Sequence, residues 1–199
     1  MKLVIQIPCY NEESSLPVTL KALPKKIDGI DEIQVLIIDD GSKDRTVEVA
    51  KELGVENFVI MPHNSGLARA FVAGINKALA LDADIIVNTD ADNQYCADDI
   101  ENLVKPIISG EADIVIGSRP VSEIEHFSPL KKLLQKLGSS VMRLISSTDV
   151  EDAPSGFRAF SRNSAIQLNV FDNYTYTLET IIQARAKGLQ LKCVPIAVN

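Results

Sequence analysis

Residues 85–94 read Ile85-Ile86-Val87-Asn88-Thr89-Asp90-Ala91-Asp92-Asn93-Gln94, an apolar run that passes directly into a pair of carboxylates. The run is typical of a buried β-strand, and side chains two residues apart on an extended chain point the same way. Asp90 and Asp92 can therefore converge on one divalent cation, although a shared proton would also relieve their repulsion. Because Mg²⁺ and Mn²⁺ suit oxygen ligands, the stretch predicts an α/β fold with a Mg²⁺ or Mn²⁺ site where a strand ends.

Composition favours one ordinary soluble domain over 1–199, since 46% of the 199 residues are apolar and 24% are charged. The net charge of −7 argues against a nucleic-acid partner but not against a nucleotide, because a bound metal can reverse the local sign. Three widely spaced cysteines indicate a reducing compartment, and no apolar run reaches the ~18 residues that span a bilayer. We therefore expect a cytoplasmic domain, and the strand pattern near its last residues predicts a chain truncated at the C-terminus.

Apolar runs alternate with helical periodicity along the chain. The predicted strands lie near residues 2–7, 34–38, 57–61, 85–90, 113–116 and 191–198. The predicted helices lie near residues 14–23, 47–53, 67–81 and 97–109. Strands that alternate with helices in this way predict a mainly parallel central sheet with helices on both faces.

Polar clusters follow four of these strands: Tyr10–Glu12, Asp39–Asp40, Asp90–Gln94 and Ser118–Arg119. Open α/β sheets bind ligands in the crevice outside the carboxyl ends of their strands. We therefore expect the four clusters to meet at one ligand site, and their agreement counts for more than any single cluster.

Two of the clusters have a simpler interpretation beside the functional one. Pro8–Glu12 fits a turn whose acids favour the start of the next helix, or it places Tyr10 beside a nucleobase and Glu12 on a ribose hydroxyl. Asp39–Ser42 contains the common turn pair Asp-Gly, although its two acids could equally accept hydrogen bonds from a base edge.

Two later stretches also allow both a structural and a functional interpretation. Residues 64–69 fit a helix N-terminus, or Gly66 allows close backbone approach while Arg69 meets a phosphate. Ser155–Arg158 predicts a mobile loop on the acceptor side, because it combines an arginine and a glycine with nearby acids. Those acids are Asp149, Glu151 and Asp152.

The segment 128–146 is basic and amphipathic in an otherwise acidic chain. Between His126 and Thr148 there is no acid, and the apolar residues follow helical spacing. This pattern fits a helix packed on the domain with a solvated basic edge. The alternative is a helix that touches an anionic membrane surface or a lipid phosphate.

Taken in order, these motifs resemble those of glycosyltransferase family 2, which has the GT-A fold, over essentially the whole chain. The motifs are Pro8-Cys9-Tyr10-Asn11-Glu12, Ile37-Ile38-Asp39-Asp40-Gly41-Ser42-Lys43-Asp44, Asn64-x-Gly66, Asp90-Ala91-Asp92-x-Gln94, Gly117-Ser118-Arg119 and Asp152-x-x-Ser155-Gly156-Phe157-Arg158. The resemblance is closest to the polyprenyl-phosphate sugar transferases. It implies a GT-A Rossmann-like sandwich with a mainly parallel central sheet and helices on both faces.

The resemblance also implies roles for single residues. The nucleoside would be held by Pro8, Tyr10, Glu12 and Asp40. Mg²⁺ or Mn²⁺ and the diphosphate would be held by Asp90, Asp92 and Gln94, while Arg119 and Arg158 would face phosphates. From their own positions we expect the nucleotide-sugar site to include also Asp39, Asn64, Gly66, Arg69 and Ala91.

We therefore expect an inverting transferase that moves a sugar from a UDP- or GDP-linked donor to a polyprenyl or dolichyl phosphate. An ionised lipid phosphate needs little base catalysis, so Arg158 would mainly position it. A sugar hydroxyl would require a base, for which Asp152 is the candidate, and Asp92 completes the expected catalytic set. Contact through 128–146 would place the protein at the cytoplasmic face of a membrane.

Three alternatives stay open. A nucleotidyltransferase would use a related α/β scaffold, but such enzymes usually carry a Gly-rich loop where this chain has Pro8-Cys9-Tyr10-Asn11. A non-catalytic nucleotide-sugar-binding module would bind the donor without turnover. A phosphatase would use the Asp-x-Asp pair as its nucleophile and release phosphate slowly from simple esters.

Overall fold

A seven-stranded sheet runs through the residues that the computed structural model describes, which are 1–119, 150, 152–171 and 174–199. Its strands are β1 (Lys2–Cys9), β2 (Glu32–Asp39), β3 (Asn57–Ile60), β4 (Ile85–Asn88), β5 (Ile114–Ser118), β6 (Arg158–Ser161) and β7 (Leu191–Pro195). The α-helices are α1 (Leu16–Ala22), α2 (Thr46–Glu52), α3 (Leu67–Ala80), α4 (Ile100–Ile108), α5 (Arg162–Gln167) and α6 (Thr177–Ala186). A short 3₁₀ turn, Ala97–Asp99, leads into α4.

The strand order is β3-β2-β1-β4-β6-β5-β7. Parallel pairing joins β1 to β2 and β4, β2 to β3, and β5 to β7, so the mainly parallel sheet is confirmed. Among the described strands only β6 runs antiparallel, between β4 and β5, and this strand was not predicted. Its register pairs Arg158 with Asn88, the last residue of β4. The loop before β6 therefore arrives at the edge of the sheet where β4 ends.

Each face of the sheet carries its own apolar core. Along β1, Leu3, Ile5 and Ile7 belong to the core that α1, α2 and α4 cover. Val4 points to the opposite face and belongs to the core of α3, α5 and α6. β4 is wholly buried because helices cover both faces. The predicted arrangement is confirmed, and this rigid centre fixes the strand ends on which the polar clusters lie.

Some predictions fall outside the described residues, namely the basic segment 128–146 and the two acids Asp149 and Glu151. None of the helices in the described part of the chain combines the length and the apolar character needed to cross a membrane. The last strand ends at Pro195, earlier than predicted. Residues 196–199 then contact the loop that follows Asp92.

Candidate active site

A pocket with a volume of about 330 Å³ opens at the carboxyl ends of β1, β2 and β4. Its lining consists of Pro8, Cys9, Tyr10, Glu12, Asp40, Asn64, Gly66, Leu67, Ala70, Asp90, Ala91 and Asp92. Three of the four predicted polar clusters therefore meet at one site. A second cavity of about 330 Å³, between α3 and α5, is lined among the described residues by apolar side chains and two asparagines, and none of these is titratable. The chemistry belongs to the first pocket.

Asp90 and Asp92 both line the pocket but have different surroundings. Asp90 is half-buried, and burial together with the nearby charge of Asp92 raises the pKa of its carboxyl to about 6. Asp92 is exposed, and its Oδ1 accepts a hydrogen bond from the Gln94 N–H at 3.0 Å. Asn93 has a φ of 58°, a left-handed conformation that asparagine tolerates. A tight turn therefore follows directly after the two carboxylates.

This pair of carboxylates fits Mg²⁺ or Mn²⁺. Both supply hard oxygen ligands, and a divalent cation would offset the repulsion that opposes ionisation of Asp90. In the described ranges no three His, Cys, Asp or Glu side chains are grouped so as to enclose a metal. A cation held by two carboxylates keeps positions for water and substrate phosphates, as Mg²⁺ commonly does. Gln94, predicted as a third ligand, is exposed and does not line the pocket.

The loops after β1 and β2 are tied together on the opposite side of the pocket. The Asn11 N–H donates to Ser42 Oγ at 2.9 Å, and Asn11 Oδ1 accepts from the Lys43 N–H at 2.8 Å. These bonds fix the loop that carries Tyr10 and Glu12. Tyr10 is 42% exposed, so one side of its ring is open to a ligand.

Asp40 anchors the start of α3. Its Oδ1 accepts from the Ser65 N–H at 2.7 Å and its Oδ2 from the Gly66 N–H at 2.9 Å. Gly66 has a φ of 92°, which any side chain would disfavour. Asp39 instead accepts from the Ser42 N–H at 3.2 Å and does not line the pocket. Asp40 therefore shapes the pocket wall, whereas Asp39 supports the turn behind it.

The remaining predicted residues of the nucleotide-sugar site also divide into those that line the pocket and those that do not. Pro8, Asn64 and Ala91 line the pocket, and the Ala91 carbonyl accepts from Thr19 Oγ1 at 2.7 Å. Arg69 is exposed and does not line the pocket. The structure therefore does not bring Arg69 to the place expected for a phosphate.

Asp152 and Arg119 form an ion pair beside the pocket. Arg119 Nε and Nη2 donate to Asp152 Oδ2 and Oδ1 at 2.6 and 3.0 Å, and the Asp152 side chain is fully buried. Both carboxylate oxygens are thus occupied by a guanidinium in the bidentate manner typical of strong pairs. Asp152 therefore offers no exposed oxygen to an acceptor in this structure, and its role as a base stays a prediction. Arg119, predicted to face a phosphate, does not line the pocket.

Arg158 is fully buried at the start of β6. Its Nε donates to Ser155 O at 2.8 Å, its Nη1 to Thr177 O and Thr180 Oγ1 at 2.8 and 2.7 Å, and its Nη2 to Ala153 O at 2.7 Å. Burial lowers the pKa of the guanidinium. In this structure the guanidinium of Arg158 therefore faces backbone carbonyls and Thr180 and not the pocket, and its contact with a phosphate stays a prediction. The side chain instead ties the loop before β6 to the start of α6.

The sequence did not predict a role for three buried residues beside the pocket, namely Asn88, Tyr95 and Tyr176. All three contact the peptide of Gly156. Asn88 carried a signal, because it is an amide at the end of an otherwise apolar strand. The two tyrosines carried none, since their partners lie far away in the sequence.

The family model described as glycosyl transferase family 2 matches residues 4–168, which is most of the chain. This chain belongs to glycosyl transferase family 2. The family predicted from the motifs is confirmed, and membership supports glycosyl transfer over the nucleotidyltransferase and phosphatase alternatives.

Relatives in this family extend the comparison. The chain is 33% identical over 211 residues to the UDP-N-acetylglucosamine--dolichyl-phosphate N-acetylglucosaminyltransferase of Methanococcus voltae, covering 96% of this chain and 82% of the relative. It is 29% identical over 207 residues to the undecaprenyl-phosphate mannosyltransferase of Micrococcus luteus, covering 100% and 83%. The predicted likeness to polyprenyl-phosphate sugar transferases is confirmed.

The fold has a close counterpart among solved structures. Glucosyl-3-phosphoglycerate synthase from Mycobacterium tuberculosis, solved with Mn²⁺, UDP-glucose and phosphoglyceric acid, matches with a TM-score of 0.77 and 20% identity. The match covers 100% of this chain and 71% of that one. The GT-A fold of this glycosyltransferase is therefore confirmed.

Proposed function

We propose that this family 2 glycosyltransferase is inverting and metal-dependent, and moves a sugar from a UDP- or GDP-linked donor to a polyprenyl or dolichyl phosphate. The observation that carries the proposal is the single pocket that joins Tyr10, Glu12 and Asp40 to Asp90 and Asp92. The acceptor class is supported by the two relatives, whose names include dolichyl phosphate and undecaprenyl phosphate.

The donor would lie with its nucleoside toward the β1 and β2 loops and its diphosphate toward the two carboxylates. Tyr10 offers an exposed ring on which a base can stack. Glu12 offers a carboxylate for a ribose hydroxyl, and Ser15 Oγ donates to that carboxylate and so orients it. Mg²⁺ or Mn²⁺ held by Asp90 and Asp92 would stabilise the negative charge that develops on the leaving nucleoside diphosphate.

Two features support a phosphate acceptor over a hydroxyl acceptor. The predicted base, Asp152, is buried and fully engaged by Arg119. A phosphate oxygen is already ionised at neutral pH and needs no base. That oxygen would form the new bond to the anomeric carbon while the bond to the donor diphosphate breaks and its electron pair leaves with the nucleoside diphosphate. Attack from the face opposite to the leaving group inverts the anomeric configuration.

The proposed acceptor also indicates where in the cell the enzyme works. A polyprenyl phosphate resides in a membrane, whereas a nucleotide sugar is dissolved in water, so we propose that the enzyme works at the cytoplasmic face of a membrane. The prediction that 1–199 forms one catalytic domain stays a prediction.

The experiment is a transfer assay with Mn²⁺, radiolabelled UDP- and GDP-sugars, and undecaprenyl or dolichyl phosphate dispersed in detergent. We expect label in the extracted lipid from one donor. The matched control is the same polyprenol without its phosphate, which should receive none. Label on the unphosphorylated polyprenol to the same extent, or no transfer from any donor to any lipid, would contradict the proposal.

A further inference from the structure

The backbone N–H and C=O of Gly156, which we together call its peptide, are held on both sides by buried side chains. Its N–H donates to Tyr95 Oη at 3.2 Å, and its carbonyl oxygen accepts from Tyr176 Oη at 3.1 Å and from Asn88 Nδ2 at 3.0 Å. The carbonyl thus uses both of its lone pairs and the N–H makes its one bond. We call Asn88, Tyr95 and Tyr176 the Gly156 clasp.

The clasp is itself firmly supported. Asn88 Oδ1 accepts from Gln6 Nε2 at 2.9 Å, and Asn88 Nδ2 also donates to Tyr176 Oη at 2.9 Å. The Tyr176 ring stacks on Phe71, with ring centroids 3.7 Å apart and planes only 2° from parallel. Side chains locked by packing and hydrogen bonds in this way can hold a neighbouring group within a fraction of an ångström.

Gly156 lies close to Asp90 and to Tyr176. A Cβ added to Gly156 would lie 3.4 Å from Asp90 Oδ1 and 3.2 Å from Tyr176 Oη. Gly156 is not among the glycines with positive φ, so its backbone conformation does not require glycine. The limited space beside Tyr176 Oη, with Asp90 next to it, accounts for the glycine instead.

The clasp also connects both sides of the metal-binding stretch to the loop before β6. Asn88 lies two residues before Asp90, at the end of β4, and Tyr95 lies in the loop that follows Asp92. Their shared partner, Gly156, is 68 residues from Asn88 and 61 from Tyr95. The position of the Gly156 peptide is therefore set by the same two segments that flank the carboxylates.

We propose that Asn88, Tyr95 and Tyr176 are positioning residues that hold the Gly156 peptide against Asp90 and thereby fix its carboxylate for a divalent cation. The inference rests on the proposed function, in which Asp90 is a metal ligand. Loss of a neighbouring group that orients a metal ligand commonly lowers metal affinity by roughly 10- to 100-fold.

The test is Mn²⁺ binding, measured by calorimetry on the protein alone and with UDP or GDP. In Gly156→Ala the added methyl group is tight against Tyr176 Oη and reaches van der Waals contact with Asp90, so we expect the clasp to shift and Mn²⁺ affinity to fall roughly three- to tenfold. Tyr95→Phe and Tyr176→Phe each remove one hydrogen bond to the peptide, for which we expect a loss of about three- to tenfold. Tyr174→Phe, which removes the hydroxyl of an exposed tyrosine outside the clasp, should bind Mn²⁺ like the parent protein.

A second readout separates positioning from simple loss of structure. If the clasp positions a metal ligand, excess Mn²⁺ should restore kcat in the transfer assay by mass action, and the metal-free variant should unfold at the same temperature as the metal-free parent protein. A variant that merely misfolds gains no kcat from added Mn²⁺. Tyr95→Phe is the mildest change and decides the matter if Gly156→Ala does not fold.

The outcomes are distinct. Parent-like Mn²⁺ affinity in folded Tyr95→Phe and Tyr176→Phe would overturn the clasp, as would reduced kcat that excess Mn²⁺ does not restore. Absence of Mn²⁺ binding by the parent protein, even with nucleotide, would contradict the metal dependence in the proposed function and leave no metal for the clasp to serve.

Discussion

Two groups of charged residues lie at the same edge of the sheet and differ in how their charges are compensated. Arg119, Asp152 and Arg158 are satisfied by one another, by backbone carbonyls and by a hydroxyl. Asp90 and Asp92 line an open pocket, where burial and mutual repulsion raise the pKa of Asp90 to about 6. The first group holds loops together, whereas in the second group neither carboxylate forms an ion pair within the described residues, although the charge of Arg119 acts on Asp90 from a distance. A charged side chain at a strand end therefore indicates a ligand site when no oppositely charged side chain pairs with it.

Among the substitutions that test this comparison, we expect the largest effect on activity at Asp92. Asp92→Asn keeps the size of the side chain but removes one charge from the pocket, so we expect kcat for transfer to fall roughly 100- to 1,000-fold. The free energy of unfolding should change by less than about 0.5 kcal/mol, because the side chain is exposed. The transfer assay and urea unfolding measure the two quantities.

The matched control is Asp98→Asn, which alters an exposed acid outside the pocket and should leave kcat unchanged. Substantial turnover by Asp92→Asn with metal present would place Asp92 with the structural charges instead.

Arg158 should show the opposite pattern, with the effect on stability. Arg158→Ala removes four hydrogen bonds to buried acceptors and opens a cavity, so we expect the free energy of unfolding to fall by about 3 kcal/mol or more. Urea unfolding measures this loss, and the exposed Arg185→Ala should change it by less than about 0.5 kcal/mol. Unchanged stability together with a raised acceptor KM would return Arg158 to the substrate site.

Asp90 should make the stability of the metal-free protein depend on pH. Its pKa rises from 3.8 to about 6 on folding, so between these values the folded state holds a proton that the unfolded chain releases. Stability is therefore lost as the pH rises through this window, on the order of 1–2 kcal/mol once partial exposure is allowed for. Unfolding at several pH values with chelator present measures the loss.

Asp90→Asn should lack this loss and be the more stable protein at pH 7 without metal, while Mn²⁺ should stabilise the parent alone. The same pH dependence in both proteins would mean that the raised pKa of Asp90 is not the source.

The smallest effect is expected at Gln94. Because its side chain is exposed and outside the pocket lining, Gln94→Ala should change donor affinity by less than about twofold. Calorimetric binding of the donor measures this. A tenfold loss would restore Gln94 as a third ligand to the metal and contradict the structural placement.

Much of the site could be predicted because it depends on local pattern. A parallel α/β sheet brings the ends of successive strands to one edge, and the polar clusters at Tyr10–Glu12 and Asp90–Asp92 needed only this rule. The carboxylate pair was recognisable because two acids directly after a buried strand are costly without compensation.

The buried charges could not be predicted in the same way. Their partners depend on β6, a short antiparallel strand between β4 and β5, whose pairing leaves no trace in local periodicity. Arginine is rarely buried, so the motif around Arg158 favoured a ligand contact. The glycine at 156 read as a flexible position, whereas its closeness to Asp90 is a tertiary contact.

The central claim is that Asp90 and Asp92, which form no ion pair within the described residues, bind a cation together with a nucleoside diphosphate. The most direct test is calorimetric binding of a panel of UDP- and GDP-sugars with Mn²⁺ and again with excess chelator. We predict that one sugar nucleotide binds with Mn²⁺ and that chelator abolishes its binding. Binding that is equally tight with chelator, or no binding of any sugar nucleotide to the folded protein, would contradict the account.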